Sequence, residues 1–130
     1  MKILFLFIAL SIILASCKDT DEVIDISYPK TNLVGSVWQS PAFVGALTKV
    51  QYYYFIDFKS RTSVQMYTAE KDGSNVLGEK KTHPLTIQES NRNMDSFQIY
   101  YPDTQKSVAG FTSKDINQIR FSTDTYTRFK

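Results

Sequence analysis

The chain has 130 residues, one cysteine, one histidine and a formal net charge of +2. Aromatic residues make up 14% of it, and tyrosine and phenylalanine supply nearly all of them. Aromatic and β-branched residues suit pleated strands, so the composition disfavours a helical fold built from leucine and alanine. The length fits one domain. A single cysteine excludes a disulfide within the chain and a zinc cluster built from cysteines.

The first segment has the pattern of an export signal. Lys2 precedes a 13-residue apolar run, Ile3–Ala15. At about 1.5 Å per residue, this run is too short to cross the hydrocarbon of a bilayer as a helix, whereas a short apolar core followed by small residues is typical of a secretory signal. Leu14-Ala15-Ser16-Cys17 resembles the lipobox of bacterial lipoproteins, which implies that Cys17 is the lipid-modified first residue of the mature protein. An ordinary secretory signal with a chance cysteine is the alternative.

Acidic residues follow this cysteine. The segment Lys18–Asp25 holds four acidic residues and one basic residue. Its Lys-Asp start resembles the export tag that sends Bacteroidota lipoproteins to the outer face of the outer membrane. We therefore expect a lipid-anchored protein of the outer membrane, exposed on the cell surface, with a plain solvated tether and a periplasm-facing anchor as the alternative. The chain divides into a signal peptide (1–16), a lipidated cysteine with an acidic tether (17–32) and a β-barrel domain (33–130).

From Leu33 onward, apolar and polar residues alternate in short runs separated by turn-forming residues. This pattern predicts an antiparallel meander of about eight strands. The first strand is expected over Leu33–Gln39, the second over Val50–Phe58, and the strongest turn signal is Lys71–Asn75. Pro41–Leu47 is the only stretch with some helical character, and it is short and β-branched enough to be a loop instead. The predicted fold class is all-β, a meander that closes into a small barrel, with a two-sheet β-sandwich as the alternative.

The two ends of this region resemble a known fold family. Leu33-Val34-Gly35-Ser36-Val37-Trp38 and the terminal Tyr126-Thr127-Arg128-Phe129 are similar to the lipocalin-like lipoproteins of Bacteroidota. Lipocalins carry Gly-x-Trp on the first strand, with an arginine from the last strand packed over the tryptophan. Here the spacing is Gly35-x-x-Trp38, one residue longer. The resemblance implies a small barrel and makes Trp38 and Arg128 a candidate structural pair through a cation–π contact.

Few residues point to catalysis, metal binding or nucleic acid. His83 is the only histidine, and a lone imidazole without a cysteine partner does not form a usual zinc site. No serine has the glycine pattern of a nucleophile elbow. The basic clusters Lys59–Arg61 and Glu79–Lys81 are small and are predicted to be solvated turns, which argues against nucleic-acid binding. We therefore expect no enzymatic activity, no catalytic residue, no metal site and no cofactor.

Consecutive aromatic residues at 52–55 place rings on both faces of one strand. With the even-numbered residues facing inward, Tyr53 and Phe55 face outward, and Tyr67 on the next strand can join them. Tyrosine offers a flat apolar ring with a polar tip, which suits sugars and partner proteins. Tyr53, Phe55 and Tyr67 are therefore a candidate binding patch. The alternative is a cross-strand ladder that only stabilises the hairpin.

Two functions fit these features. The first is a membrane-anchored binding module for a small apolar or glycan ligand, held in the barrel mouth or on the tyrosine patch. The second is an accessory or structural lipoprotein that binds another envelope protein and has no ligand. Gaps in the inner face at Thr68 and Gly110 would favour the first function. Full packing of the inward-facing core residues would favour the second: Phe58, Met66, Phe97, Ile99 and Phe121.

Overall fold

The computed structural model of the chain describes residues 30–90 and 94–130. The predicted signal peptide, Cys17 and most of the predicted tether lie outside these residues. The described residues form nine strands: β1 (Val37–Gln39), β2 (Phe43–Val44), β3 (Gln51–Phe58), β4 (Ser63–Ala69), β5 (Leu77–Gln88), β6 (Ser96–Tyr101), β7 (Lys106–Thr112), β8 (Gln118–Phe121) and β9 (Asp124–Arg128). No helix in the described part of the chain is long and apolar enough to cross a bilayer.

Eight of these strands form a closed barrel. From β3 to β9 each strand pairs with the next, and β1 pairs with both β9 and β3. Trp38 in β1 therefore has two cross-strand partners, Arg128 on one side and Ile56 on the other. The extra strand, β2, pairs with the start of β3, where Phe43 lies opposite Tyr52. Closure removes the free sheet edges. The predicted meander and barrel are confirmed, and the sandwich is excluded.

The strand limits differ from the prediction in three places. The first barrel strand begins at Val37 rather than Leu33, because Gly35 has a φ of 79° and turns the chain just before it. Pro41–Leu47 is not helical, since it contains β2. Glu79–Lys81 lies within the twelve-residue strand β5 instead of a turn. The charged residues of this segment are typical of a solvated turn. Backbone pairing with β4 nevertheless places the segment in the sheet.

Aromatic and aliphatic side chains fill the core of the barrel. Trp38, Phe58 and Phe97 have no solvent exposure. Gly110 provides the space for the Phe97 ring, because a Cβ built on Gly110 would lie 2.1 Å from the tip of that ring. The gap expected at Gly110 is therefore filled. The rest of this core consists of Leu33, Ile56, Val64, Leu85, Ile99, Ile119, Phe121 and Tyr126.

Residues 30–36 close one end of the barrel. Leu33 packs into the core, the backbone N–H of Gly35 donates to the carbonyl of Phe58 at 2.8 Å, and the Lys30 ammonium lies 2.9 Å from the carboxylate of Asp95. These contacts join the end of β3 to the residue that precedes β6. We call this end the closed end. The opposite end, where β4 ends and β5 begins, is the mouth.

Candidate functional site

The mouth contains a recess of about 270 Å³ between β3, β4, β5 and β6. Cross-strand register places its main lining residues on the inner face, because they pair with one another or with core residues. The recess is apolar for the most part and carries a few polar groups. The inward-facing residues that line it are Tyr54, Met66, Thr68, Lys81, His83 and Tyr101.

A shift in strand pairing lies beside the recess. The β4–β5 register shifts between Met66 and Thr68, and such irregularities bend a strand and re-aim its side chains. Thr68 is half-buried and lies opposite Tyr54 in β3. Its side chain is smaller than the aromatic side chains that fill the core of the barrel. Of the two positions expected to leave gaps, Thr68 therefore lines an open space, whereas Gly110 does not.

His83 is the most buried polar side chain of the recess. It is 7% exposed, and its Nδ1 is buried with no hydrogen-bond partner among the described residues. The centroid of its ring lies 4.7 Å from that of Tyr101. A buried polar atom without a partner costs about 1–3 kcal/mol. A hydrogen-bonding group that enters the recess and reaches this nitrogen would remove that cost.

Tyrosine hydroxyls supply further polar groups at the mouth. The Tyr101 hydroxyl donates to the Met66 sulfur at 3.3 Å, and a thioether is a weak acceptor. Burial raises the pKa of Tyr101. Burial also raises the pKa of Tyr126, and the charge of Asp124 and the nearby Tyr101 and Tyr54 add to this effect. Both hydroxyls therefore stay protonated at neutral pH, and that of Tyr101, which lines the recess, can exchange its weak sulfur acceptor for a ligand group.

The rim of the mouth combines aromatic and charged residues. Tyr54 is 47% exposed, and its ring stacks on that of Phe43 in β2, with 4.5 Å between the centroids. Glu79 and Lys81 line the opposite side on β5 and carry one charge of each sign. The rim therefore has no net charge from these two residues, and it offers an aromatic surface at the opening.

The candidate patch of Tyr53, Phe55 and Tyr67 lies on the outer face of β3 and β4, and Phe55 and Tyr67 also border the recess. Phe55 stacks on Tyr67 with 5.0 Å between the ring centroids. However, Phe55 is 0% exposed, because Tyr67 covers one side and Phe129 contacts it edge-on at 5.1 Å. The expectation that all three rings are open to a ligand is therefore wrong for Phe55. Tyr53 and Tyr67 are half-buried, and a binding role for them stays a prediction.

The candidate structural pair lies at the closed end. The guanidinium carbon of Arg128 is 4.7 Å from the centroid of the Trp38 ring, well within the range of a cation–π contact. The Trp38 indole N–H donates to the Ser36 hydroxyl at 2.6 Å. Arg128 also donates to the carbonyls of Asn32 and Ile116 at 3.4 Å. This pair therefore links the first and last strands of the barrel to the segment that closes it.

Sequence reasoning missed most of the recess. It identified Thr68 as a gap, but it considered His83 only as a lone imidazole without the partners of a zinc site. The alternation of His83, Leu85 and Ile87 was the available signal, because it puts His83 on the same inward face as two core residues.

Comparison with known proteins identified no relative of this chain. No family model, no curated protein and no solved structure matches it.

Proposed function

We propose that the protein is a lipid-anchored envelope protein whose barrel binds a small, predominantly apolar ligand in the mouth recess. One observation carries the proposal: an aromatic-lined recess contains the unpartnered, buried Nδ1 of His83. Small-molecule sites are concave and mostly apolar, with a few placed polar groups, and the mouths of β-barrels are a preferred location.

The lining favours a compact apolar ligand over a glycan. Met66 and the rings of Tyr54 and Tyr101 supply most of the apolar surface. The polar groups with incomplete hydrogen bonding are close together, since the His83 and Tyr101 rings are in contact. Such a site suits a ring-sized molecule with one polar end. Its volume of about 270 Å³ is also near the lower limit of small-molecule sites, which argues against a long acyl chain or an oligosaccharide.

The N-terminal sequence supports the membrane anchor. The apolar run Ile3–Ala15 and the lipobox-like Leu14–Cys17 are those of a bacterial lipoprotein, and the acidic residues after Cys17 resemble the surface-export tag of Bacteroidota. The protein is accordingly held at the outer membrane, on the cell surface. Within this proposal the protein acts by binding, because the recess offers an apolar lining with a few polar groups.

Native mass spectrometry of the full chain purified from its own host envelope tests ligand binding. Thr68→Phe should fill the recess and abolish a retained small-molecule mass, while the unsubstituted chain keeps it. Thr82→Phe is the matched control, because Thr82 is exposed on the same sheet next to His83. A small-molecule mass that persists in Thr68→Phe, or that no variant carries, would contradict the proposal.

Metabolic labelling tests the anchor. Cells grown with an alkyne fatty acid should label the unsubstituted chain, and Cys17→Ala should lose the label because no other cysteine is present. Equal labelling of the two chains would contradict acylation at Cys17.

A groove on the outer face supports the alternative function, binding of another envelope protein. Met94 and Phe111 are exposed beside Arg120, around a groove of about 520 Å³ on β7 and β8. Exposed aromatic and arginine side chains are common in protein interfaces. In the same mass-spectrometry experiment, a retained protein mass that is lost in Phe111→Ser but kept in Thr68→Phe would favour this alternative.

A further inference from the structure

The connection between β1 and β3 projects an apolar hairpin from the mouth. We call residues 41–50 the apolar tip. Leu47 is 98% exposed and Val44 is 61% exposed. The tip is nevertheless an ordered turn, because the N–H of Gly45 donates to the carbonyl of Val50 at 3.1 Å and the N–H of Lys49 donates to the carbonyl of Gly45 at the same distance. The fold therefore holds apolar side chains out in solvent.

The other connections at the mouth have a different composition. Glu70–Asn75, Pro102–Gln105 and Ser122–Thr123 are all polar turns. Between Ser40 and Ile56, in contrast, the only charged residue is Lys49. Grouped exposed apolar residues mark an interaction surface, because exposing them to water is unfavourable.

We propose that the apolar tip inserts into the lipid surface of the membrane, with Leu47 as the deepest side chain. The shape favours lipid over a protein partner, because Leu47 protrudes with almost its whole surface free, and a soft lipid surface can surround such a side chain without a preformed groove. The charge fits as well. Lys49 is attracted to anionic headgroups, and no acidic residue of the tip opposes this attraction.

The length of the N-terminal segment allows this orientation. The inference rests on the anchorage part of the proposed function, in which Cys17 carries the lipid. The described chain starts at Lys30, at the closed end, so the tether must reach past the barrel if the mouth faces the membrane. Thirteen residues from Cys17 can span at most about 45 Å when extended. The longest barrel strand, β5, has twelve residues, or about 40 Å at the usual rise, so the tether is long enough.

Insertion of the tip would bring the recess to the lipid surface. Phe43 belongs to the apolar tip, and its ring stacks on Tyr54, which lines the recess. The tip and the recess are therefore in direct contact at the same end of the barrel. An apolar ligand could then pass between the bilayer and the recess without crossing bulk water.

Fluorescence quenching by brominated lipids tests the insertion. The full chain with its anchor, carrying Leu47→Trp, is reconstituted in vesicles of phosphatidylethanolamine and phosphatidylglycerol whose acyl chains are brominated close to the headgroups. We expect the introduced indole to lose about half of its emission or more, since an interfacial side chain lies within about 5–10 Å of the headgroup boundary. Trp38, the only native tryptophan, is fully buried in the barrel and sets the background.

Thr62→Trp is the matched control, because it places an indole in an exposed polar turn at the closed end. It should not be quenched. Leu47→Trp emission that is the same with brominated and ordinary lipids would overturn the proposal, and so would equal quenching of both variants. Shielding of the indole only when envelope proteins are added would also overturn it and assign the tip to a protein contact.

A second measurement does not depend on the acyl chains. The Cys17→Ser chain and its Leu47→Asp variant are titrated with the same vesicles. Both keep the apolar segment Ile3–Ala15, so the difference between them reports the tip, and Leu47→Asp should weaken partitioning by about tenfold because apolar burial drives interfacial binding. Unchanged partitioning would contradict insertion. Thr68→Phe separates this inference from ligand binding: a chain with a filled recess should still show the quenching of Leu47→Trp. Failure of ligand binding with retained quenching, and failure of quenching with retained ligand, are therefore distinguishable outcomes.

Discussion

Trp38 and Arg128 lie opposite each other where the first strand meets the last, with the guanidinium carbon 4.7 Å from the ring centroid. Trp38→Ala should lower the free energy of unfolding by about 3 to 5 kcal/mol, because the ring is fully buried. Arg128→Ala should cost about 1 to 2 kcal/mol through loss of the cation–π contact and of its hydrogen bonds to backbone carbonyls. Urea denaturation measures both, with the exposed Arg120→Ala as control. An unchanged midpoint for Trp38→Ala would contradict its place in the core.

Gly110 and Phe97 pack against each other in the core, with no space for a side chain on Gly110. Gly110→Ala should destabilise the barrel by at least about 1 to 3 kcal/mol, because the new methyl group would overlap a fully buried ring. Combining it with Phe97→Leu should recover part of the loss, since the two substitutions act on the same space. Ala109→Ser, at an exposed position of the same strand, is the control. Strictly additive losses in the double variant would argue against the contact.

Tyr67 covers Phe55 on the outer face of the barrel. Tyr67→Ser should lower the free energy of unfolding by about 1 to 2 kcal/mol, because it exposes an otherwise buried ring. Tyr67→Phe keeps the stacked ring and should be nearly neutral. Tyr53→Ser should cost less than Tyr67→Ser. Chemical denaturation of the three chains distinguishes a structural ring from a free binding surface, and equal stability of all three would support the latter.

His83 is expected to affect both the stability of the free protein and the binding of ligand. His83→Phe keeps a ring of similar size and removes the unpartnered Nδ1. The free protein should become more stable by up to about 1 kcal/mol, since a buried polar atom without a partner is unfavourable. The same change should weaken binding of the small molecule recovered from the host envelope by about tenfold, because one hydrogen bond is lost. Thermal unfolding and calorimetric titration measure the two effects, and a less stable variant with unchanged affinity would contradict the assignment.

Tyr126 makes the barrel sensitive to alkaline pH. Its folded pKa is raised by burial and by the charge of Asp124, whereas in the unfolded chain it ionises near its usual pKa of about 10. The unfolded state therefore releases a proton first as the pH rises. The contribution of Tyr126 to the free energy of unfolding is fully present below about pH 10. It decreases as the pH rises from there toward the pKa of the folded state. Urea midpoints from about pH 8 to 11 should fall less steeply in Tyr126→Phe. Parallel slopes would count against the effect.

Local sequence patterns are sufficient to predict the fold class and most of the turns. In β6 the alternation of Phe97, Ile99 and Tyr101 predicts which side chains face the barrel interior, and the turn at Lys71–Asn75 follows from local backbone preferences. These features depend on neighbours in the chain. Period-two alternation assigns a side chain to one face of a strand, and that assignment is confirmed for the core of the barrel.

What covers each face of a strand depends on residues that are distant in the chain. Phe55 faces outward as predicted but is buried, because Phe129 from the last strand packs against it. Glu79–Lys81 forms part of a strand because β4 pairs with it, and the register shift in that pairing lies beside the recess. The isolation of His83 Nδ1 likewise depends on which groups surround it. These properties arise from contacts between residues far apart in the chain, and local pattern does not encode such contacts.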